Sequence, residues 1–357
     1  MTRTAAETAD GDRATRRRRE ALELALYQIR RNHGPGAICR LGERPHAATA
    51  GWSTGALSLD LALGGRGIPC GRMVEVFGPE GAGKTTLALH AAAACQRAGG
   101  TAAFVDVEHA LDLAYAQRVG VQLDALLLAQ PGSGDEALGI VELLARGGGV
   151  DLVVVDSVAA LVPREELDLG LESPTPGSLA RLVSHALRRL VPAADRGRTA
   201  LVFVNQLRHE LRGGGLPARE ITPGGLALRF YAAARIEVRR VGDLHRDGAT
   251  VGARTRARVV KNKLAPPFAT CEFDLRFDRG IDRAADLVAC GRAAGVLDGP
   301  ALRFGERSLG GPAAAAAALA EDATLAASLE LAVRERWASY GGRSTAPPRP
   351  TARELET

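Results

Sequence analysis

The stretch Gly78-Pro79-Glu80-Gly81-Ala82-Gly83-Lys84-Thr85 constrains this chain more than any other feature. It fits G-x-x-x-x-G-K-[ST] at a junction between two periodicities. Val74-Glu75-Val76-Phe77 before it reads as a strand, and Thr85 to Gln96 after it as a helix. Glycines in such a turn let backbone N–H groups converge on phosphate oxygens at a helix N-terminus, where the dipole also favours an anion. That predicts a polyphosphate held by Gly78, Pro79, Glu80, Gly81, Ala82, Gly83, Lys84, Thr85 and Thr86. Lys84 is expected to reach the β- and γ-phosphates, and the Thr85 hydroxyl to ligate Mg²⁺.

The surrounding pattern repeats strand, turn and helix. Ala102 to Val107, Leu152 to Val155 and Leu201 to Val204 are apolar runs of the kind that parallel strands show when both faces are buried. Strands alternating with helices predict an α/β fold with a mostly parallel sheet. Asp156 ends the run Asp151-Leu152-Val153-Val154-Val155-Asp156 at a carboxyl edge, where open α/β sheets bind ligands, and is expected at the Mg²⁺. Asp151, at the other end, reads as a solvated turn residue.

Before this core, residues 1–19 are polar, end in Arg16-Arg17-Arg18-Arg19, and are expected to lack fixed structure. The arginine run reads as a solvated tail that could also meet nucleic acid. Glu20 to Arg31 reads as a helix bearing Leu22, Leu24, Leu26 and Ile29, and Ala37 to Leu41 as a short strand. After Arg283 the chain turns Ala- and Gly-rich, with Ala313 to Ala318 inside a helix. The expected organisation is an arm over 1–45, a core over 46–282, a small C-terminal domain over 283–340 and a tail without fixed structure over 341–357.

Composition sharpens the chemistry. The net charge of +5 suits a polyanionic partner. Lys84, Lys261 and Lys263 are the only lysines; the other 43 of the 46 basic residues are arginine. Where arginine serves as the generic cation, a retained lysine points to a need for a compact ammonium. Cys39, Cys70, Cys95, Cys271 and Cys290 show no C-x-x-C spacing, which argues against a zinc site or a disulfide framework. No apolar run reaches membrane-spanning length and no secretion signal opens the chain, so a cytoplasmic protein without a membrane partner is expected.

Several separate motifs, in order, make the resemblance specific. Gly55-Ala56-Leu57-Ser58-Leu59-Asp60, the phosphate loop, Phe104-Val105-Asp106-Val107-Glu108-His109-Ala110-Leu111-Asp112, Val155-Asp156-Ser157-Val158-Ala159-Ala160-Leu161, Val204-Asn205-Gln206-Leu207-Arg208 and Val260-Lys261-Asn262-Lys263 resemble the bacterial RecA family from about residue 20 to 335. The resemblance implies a RecA-type P-loop NTPase core with an N-terminal helix–strand arm and a small α/β C-terminal domain. It implies a DNA-dependent ATPase that uses ATP and Mg²⁺, forms a helical filament with itself on single-stranded DNA, and pairs that strand with double-stranded DNA. Promotion of self-cleavage of the SOS repressor is implied as well. Glu108 would be the general base, with Asp106 structural; Asp112 and Tyr115 would hold the adenine. Gln206 would sense the γ-phosphate, a buried polar cap being the plainer reading. Lys261 and Lys263 would reach a neighbour's ATP in trans.

The DNA loops fit less closely. The first, Glu165 to Gly177, leads into a helix carrying Arg181, Ser184 and Arg188; the second, His209 to Gly225, carries Leu211, Arg212, Arg219, Gly224 and Gly225. Such Gly-rich, Arg-bearing loops suit contacts to phosphates rather than base edges. Where the family wedges an apolar side chain between base triplets, this chain has Pro174, Thr175 and Pro176. The aromatic wedge that the resemblance implies for the second loop would fall among Gly213 to Leu216, where this chain has no aromatic; Leu211, Leu216 and Ile221 are candidate substitutes. The family's acidic tail is replaced by residues 349–357, two of them arginine. DNA engagement is therefore where divergence is expected. The alternative reading is a paralogue that binds ATP and DNA as a regulatory filament without strand exchange. A hexameric helicase lacks the paired lysines and the arm, and a nucleotide kinase would need a lid.

Overall fold

In a computed structural model, which describes residues 5–40, 50–169, 177–210 and 219–339, the apolar runs form the middle of a nine-stranded sheet. Residues up to 48 are one unit and residues from 49 onward a second.

The first unit is α1 (Ala5–His33) and the turn after it. Residues 5–19, expected without fixed structure, are helical. The reason is propensity: Ala, Glu and Arg hold a helix without an apolar face. The basic last turn (Arg30, Arg31, His33) suits the dipole, and Gly34 ends the helix at φ +93° with its N–H on Arg30 O at 2.9 Å. Residues 37–40 form no strand, and Leu41 lies outside the described residues. A strand needs a sheet edge; instead the Ala37 N–H turns back to Gly34 O at 3.1 Å.

In the second unit β1 (Gly51–Trp52) pairs with β2 (Ile68–Pro69) across α2 (Leu57–Ala62). There follow β3 (Met73–Gly78), α3 (Lys84–Arg97), β4 (Ala102–Asp106), α4 (Leu113–Val119), β5 (Leu127–Ala129), α5 (Gly134–Gly147), β6 (Leu152–Asp156), α6 (Arg164–Leu169), α7 (Ser178–Gly197) and β7 (Ala200–Gln206). β8 (Arg208–Glu210) pairs with β9 (Arg219–Ile221), and α8 (Leu226–Tyr231) leads into the long hairpin β10 (Ala234–Arg246) and β11 (Ala249–Asn262). β12 (Thr270–Arg276) and β13 (Gly280–Ile281) finish the sheet, in the order β13-β12-β11-β10-β3-β7-β6-β4-β5. From β10 to β5 neighbours run parallel; β11, β12 and β13 are added antiparallel.

Alternation along each run feeds two cores. Val74, Val76, Leu152, Val154, Val202 and Val204 pack under α3, whereas Met73, Val153, Val155, Leu201 and Phe203 pack under α5 and α7. A strand buried on both faces needs both sets apolar, hence runs without alternation.

The last elements are α9 (Arg283–Ala293), the hairpin β14 (Arg303–Phe304) and β15 (Arg307–Ser308), α10 (Pro312–Glu321) and α11 (Ala323–Ser339). They enclose a third cluster, including Leu287, Leu319 and Leu329, that also takes in Leu57 of α2. Arg334 of α11 secures the joint, donating to Gly65 O at 2.6 Å and to Glu330. Asp151, expected in solvent, instead accepts the Thr101 N–H at 2.8 Å and so ties the start of β6 to that of β4.

His90 of α3 is buried, and its Nε2 accepts the Ile281 N–H at 2.8 Å, pinning β13 to the helix. Burial first, then Arg283 and Arg97, pushes its pKa down to about 3. The unfolded chain takes up this proton near pH 6.5 and the folded chain does not, so the contribution is full above pH 6.5 and lost as pH falls toward 3. Buried Asp286, pushed up to about 6, and Asp60, also raised, act in the opposite direction. Comparison with His90→Gln cancels them. Denaturant unfolding from pH 7.5 to pH 5 is expected to cost the parent about 2 kcal/mol more than the variant; an equal loss in both would show that the imidazole titrates freely in the fold.

Candidate nucleotide site and nucleic-acid interface

The phosphate loop joins β3 to α3 at the carboxyl edge of the parallel strands. Gly83 caps α3 at φ +91°, a backbone angle that requires glycine, and a Cβ there would displace Leu275 Cδ1, 2.1 Å away. Lys84 is buried and donates from Nζ to Pro79 O at 2.7 Å, which curls the side chain back over the loop. Burial holds its pKa below the usual lysine value, opposed by Asp156, Glu108 and Glu80.

Thr85 Oγ1 donates to Asp156 Oδ2 at 2.6 Å, so the first hydroxyl of α3 meets the carboxylate ending β6. Burial pushes Asp156 up to about 6, with Glu108 and Asp106 adding repulsion and Thr85 and Lys84 opposing it. A buried carboxylate that bears this cost beside a hydroxyl, with Glu108 near, is an all-oxygen donor set suited to a hard divalent cation such as Mg²⁺. Thr86 Oγ1 lies 3.0 Å from the Tyr115 hydroxyl, and Asp112 caps α4 by accepting the Tyr115 N–H at 2.9 Å. Arg118 lies 5.7 Å from the Tyr115 ring centroid. Asp112 and Tyr115 thus stand as one rigid corner beside the loop.

Glu108 lies just beyond β4, exposed, and its Oε1 accepts from both Ser157 Oγ and Gln206 Nε2, the latter at 3.0 Å. Among the described residues no hydrogen bond reaches Oε2. Asp106 faces inward, accepting from Ala110 N, Leu111 N and Gln130 Nε2, which gives it the structural place expected. Gln206 is not a buried cap: it is half-buried and bridges β7 to Glu108.

Sequence reasoning passes over three residues here. Glu75 is fully buried in β3 and pairs with Arg235 Nε at 2.5 Å and Asn205 Nδ2 at 3.0 Å. Asn205 also donates to Pro223 O at 3.0 Å and accepts the Gln206 N–H at 3.0 Å, tying the foot of the second loop to the strand that carries Gln206. Ser157, which orients Glu108, stands out in the sequence only as part of a motif. The available signal was an acid inside an apolar strand, which demands a buried partner.

Lys261 and Lys263 do come out on one side. Lys261 Nζ donates to Arg229 O at 2.5 Å and Phe230 O at 3.0 Å, and Lys263 Nζ to Phe230 O at 3.1 Å. Burial, then Lys263 and Arg235, lowers the Lys261 pKa. Among the described residues neither ammonium touches this chain's own phosphate loop; both sit at the end of α8, where Phe230 is exposed.

Arg181, Ser184 and Arg188 line one wall of an open groove of about 760 Å³, with Leu226, Phe230 and Tyr231 of α8 on the other. Gly225 closes its end at φ +73°, where a Cβ would lie 2.9 Å from Ala180 Cβ; Gly224 is at φ +84°. Arg181 is paired with Glu165 at 3.2 Å, both exposed. Arg219 lies in β9, whereas Leu211, Arg212, Leu216 and Pro174 to Pro176 lie outside the described residues.

A family model described as the RecA N-terminal domain matches residues 20–282. The chain is 51% identical over 323 residues to "Protein RecA" of Thermus thermophilus, covering 89% of this chain and 95% of that one. It belongs to the RecA family. "Protein RecA" of Nitratidesulfovibrio vulgaris is 46% identical over 88% of each chain, and that of Helicobacter pylori 45% identical over 89% of this chain and 92% of that one. RecA-family membership makes this a recombinase of homologous recombination and DNA repair, and with it come ATP use, DNA binding and self-assembly. Nothing in the comparisons favours a paralogue confined to regulation. No described helix is long and apolar enough to cross a membrane.

Proposed function

We propose that ATP binds at the loop Gly78–Thr85 and is hydrolysed at a site completed by a second copy of the chain, when the protein is polymerised on single-stranded DNA. The observation that carries this is the Glu108 carboxylate, fixed at one oxygen by Ser157 and Gln206 and open at the other. A carboxylate so held orients a water and accepts its proton through Oε2, at the carboxyl edge beside the phosphate loop. Thr85 and Asp156 would hold Mg²⁺, which when bound neutralises charge on the phosphates.

The other residues position and couple. The loop's N–H groups and Lys84 hold the β- and γ-phosphates; Asp112 and Tyr115 hold the adenine, Tyr115 by stacking. Gln206 reads the occupied site and, with Asn205 on Pro223 O, passes its state to the second loop. Arg181, Ser184, Arg188, Arg212 and Arg219, with the Gly224–Gly225 turn, take the backbone of the single strand, and Leu211 wedges between its bases. ATP binding orders these loops and hydrolysis releases the strand. The same filament, working in the cytoplasm, pairs its strand with a homologous duplex and promotes self-cleavage of the SOS repressor.

The test is ATP hydrolysis with and without single-stranded DNA across a salt series. Strong stimulation that fades as salt rises is expected, since phosphate contacts release counterions. Hydrolysis indifferent to DNA would replace the recombinase reading with that of an uncoupled regulatory ATPase.

A further inference from the structure

Among the described residues, the nucleotide site and the groove leave unused a strongly charged surface that lies ahead of the segment matched by the family model, which begins at residue 20. Between Arg13 and Arg19 five of seven residues are arginine, all on α1 and all exposed. At 100° per residue, Arg13, Arg16 and Arg17 share one side over about 6 Å of helix axis. Leu22, Leu26 and Ile29 follow on the opposite side at i, i+4 and i+7, with Leu26 and Ile29 half-buried. Leu24 and Tyr27 continue the arginine side and stay exposed. Glu20 pairs with Arg16 at 3.1 Å, but that contact is 82% and 65% exposed, so it neutralises little. The result is a stiff helix with an apolar line for packing and a row of guanidinium groups turned the other way.

We propose that the Arg13–Arg16–Arg17 face of α1 binds the phosphate backbone of duplex DNA. The inference rests on the recombinase reading, in which the polymer must recruit a second, double-stranded DNA. Phosphate is the ligand that planar forks at fixed spacing fit, and a helix that cannot bend to follow a flexible strand suits a stiff duplex. Three contacts per protomer are weak alone, but a polymer repeats the row at every subunit, so the duplex meets many at once.

The test uses the full-length protein assembled on single-stranded DNA with a slowly hydrolysed ATP analogue. Anisotropy of a labelled duplex of unrelated sequence is followed against salt. Alanine is the best helix former, so the triple variant Arg13→Ala, Arg16→Ala, Arg17→Ala keeps α1. The slope of log affinity against log salt is expected to fall by about 2 to 3 units, near 0.9 for each phosphate no longer neutralised. The pair Arg18→Ala, Arg19→Ala, which flanks the apolar line, is expected to lower it by less than about 1 unit. The triple variant Arg13→Lys, Arg16→Lys, Arg17→Lys, which keeps the charges, is expected to preserve the slope. An unchanged slope in the triple variant, with ATPase still stimulated by single-stranded DNA, overturns the inference and leaves the recombinase reading intact; ATPase indifferent to DNA in the parent protein sinks that reading itself. Loss of assembly on the single strand also overturns it, by placing the arginines in subunit contact. So does binding to phosphatidylglycerol vesicles that the triple variant loses while its duplex slope stays unchanged.

Discussion

Glu108→Gln is expected to slow ATP hydrolysis by about 10²- to 10⁴-fold while leaving ATP binding in place. The substitution removes a base and little else. A glutamine Oε1 still accepts from Ser157 and Gln206, so the side chain stays where the carboxylate is held. What it loses is the charge on the second oxygen, where a water would be oriented and deprotonated. Lys84, Thr85 and Asp156 remain to bind the triphosphate and its Mg²⁺, so nucleotide affinity is expected unchanged or tighter, since one negative charge leaves the site. Phosphate release at saturating single-stranded DNA measures the first effect, and equilibrium binding of a fluorescent ATP analogue the second. Because hydrolysis is assigned to releasing DNA, filaments of the variant are also expected to persist through dilution. A variant hydrolysing at nearly the parent rate would remove Glu108 from the chemistry and leave Ser157 and Gln206 without a reason to converge on it.

What the sequence disclosed and what it concealed divide by the range of the interaction. The phosphate loop, Asp156, Glu108 and the buried strands are local: each follows from residues within a few positions, because a strand end or helix start puts them on one edge. Glu75 is not local. Its partners Asn205 and Arg235 lie 130 and 160 positions away, on strands that flank β3 only because of the order β10-β3-β7. No spacing rule finds such a triad; an acid within an apolar strand says only that a partner exists. The first half of α1 escapes the pattern for another reason: hydrophobic periodicity is blind to a helix with charge on every side, and propensity carries it. Conversely, Ala37 to Leu41 has the look of a strand, but over the described residues 37–40 a strand pattern without an edge to pair with does not make one.

Lys263→Ala is expected to slow DNA-stimulated hydrolysis by roughly 10³-fold, the scale of a cationic finger placed on a transferring phosphoryl group. The size alone does not show that the lysine acts on a neighbour, because the ammonium also holds the last carbonyl-bearing turn of α8, and loosening that turn could disturb the DNA groove. Mixing separates the two accounts. Glu108→Gln protein retains both lysines, and Lys263→Ala protein retains Glu108. In a head-to-tail polymer assembled at random from equal amounts, about one interface in four pairs an intact Glu108 with an intact Lys263 from the adjacent copy. Two nearly inactive preparations are therefore expected to recover, on mixing, about a quarter of the parent's DNA-stimulated rate. A lysine acting within its own chain, or one needed only to brace α8, gives no recovery, since every protomer still carries one defect. The geometry favours recovery: the two lysines gather on the Arg229 and Phe230 carbonyls beside an exposed phenylalanine, away from their own phosphate loop. Two ammoniums sharing the Phe230 carbonyl repel each other, and burial already depresses Lys261. A triphosphate brought up by the next subunit supplies the anion that such a pair lacks within one chain.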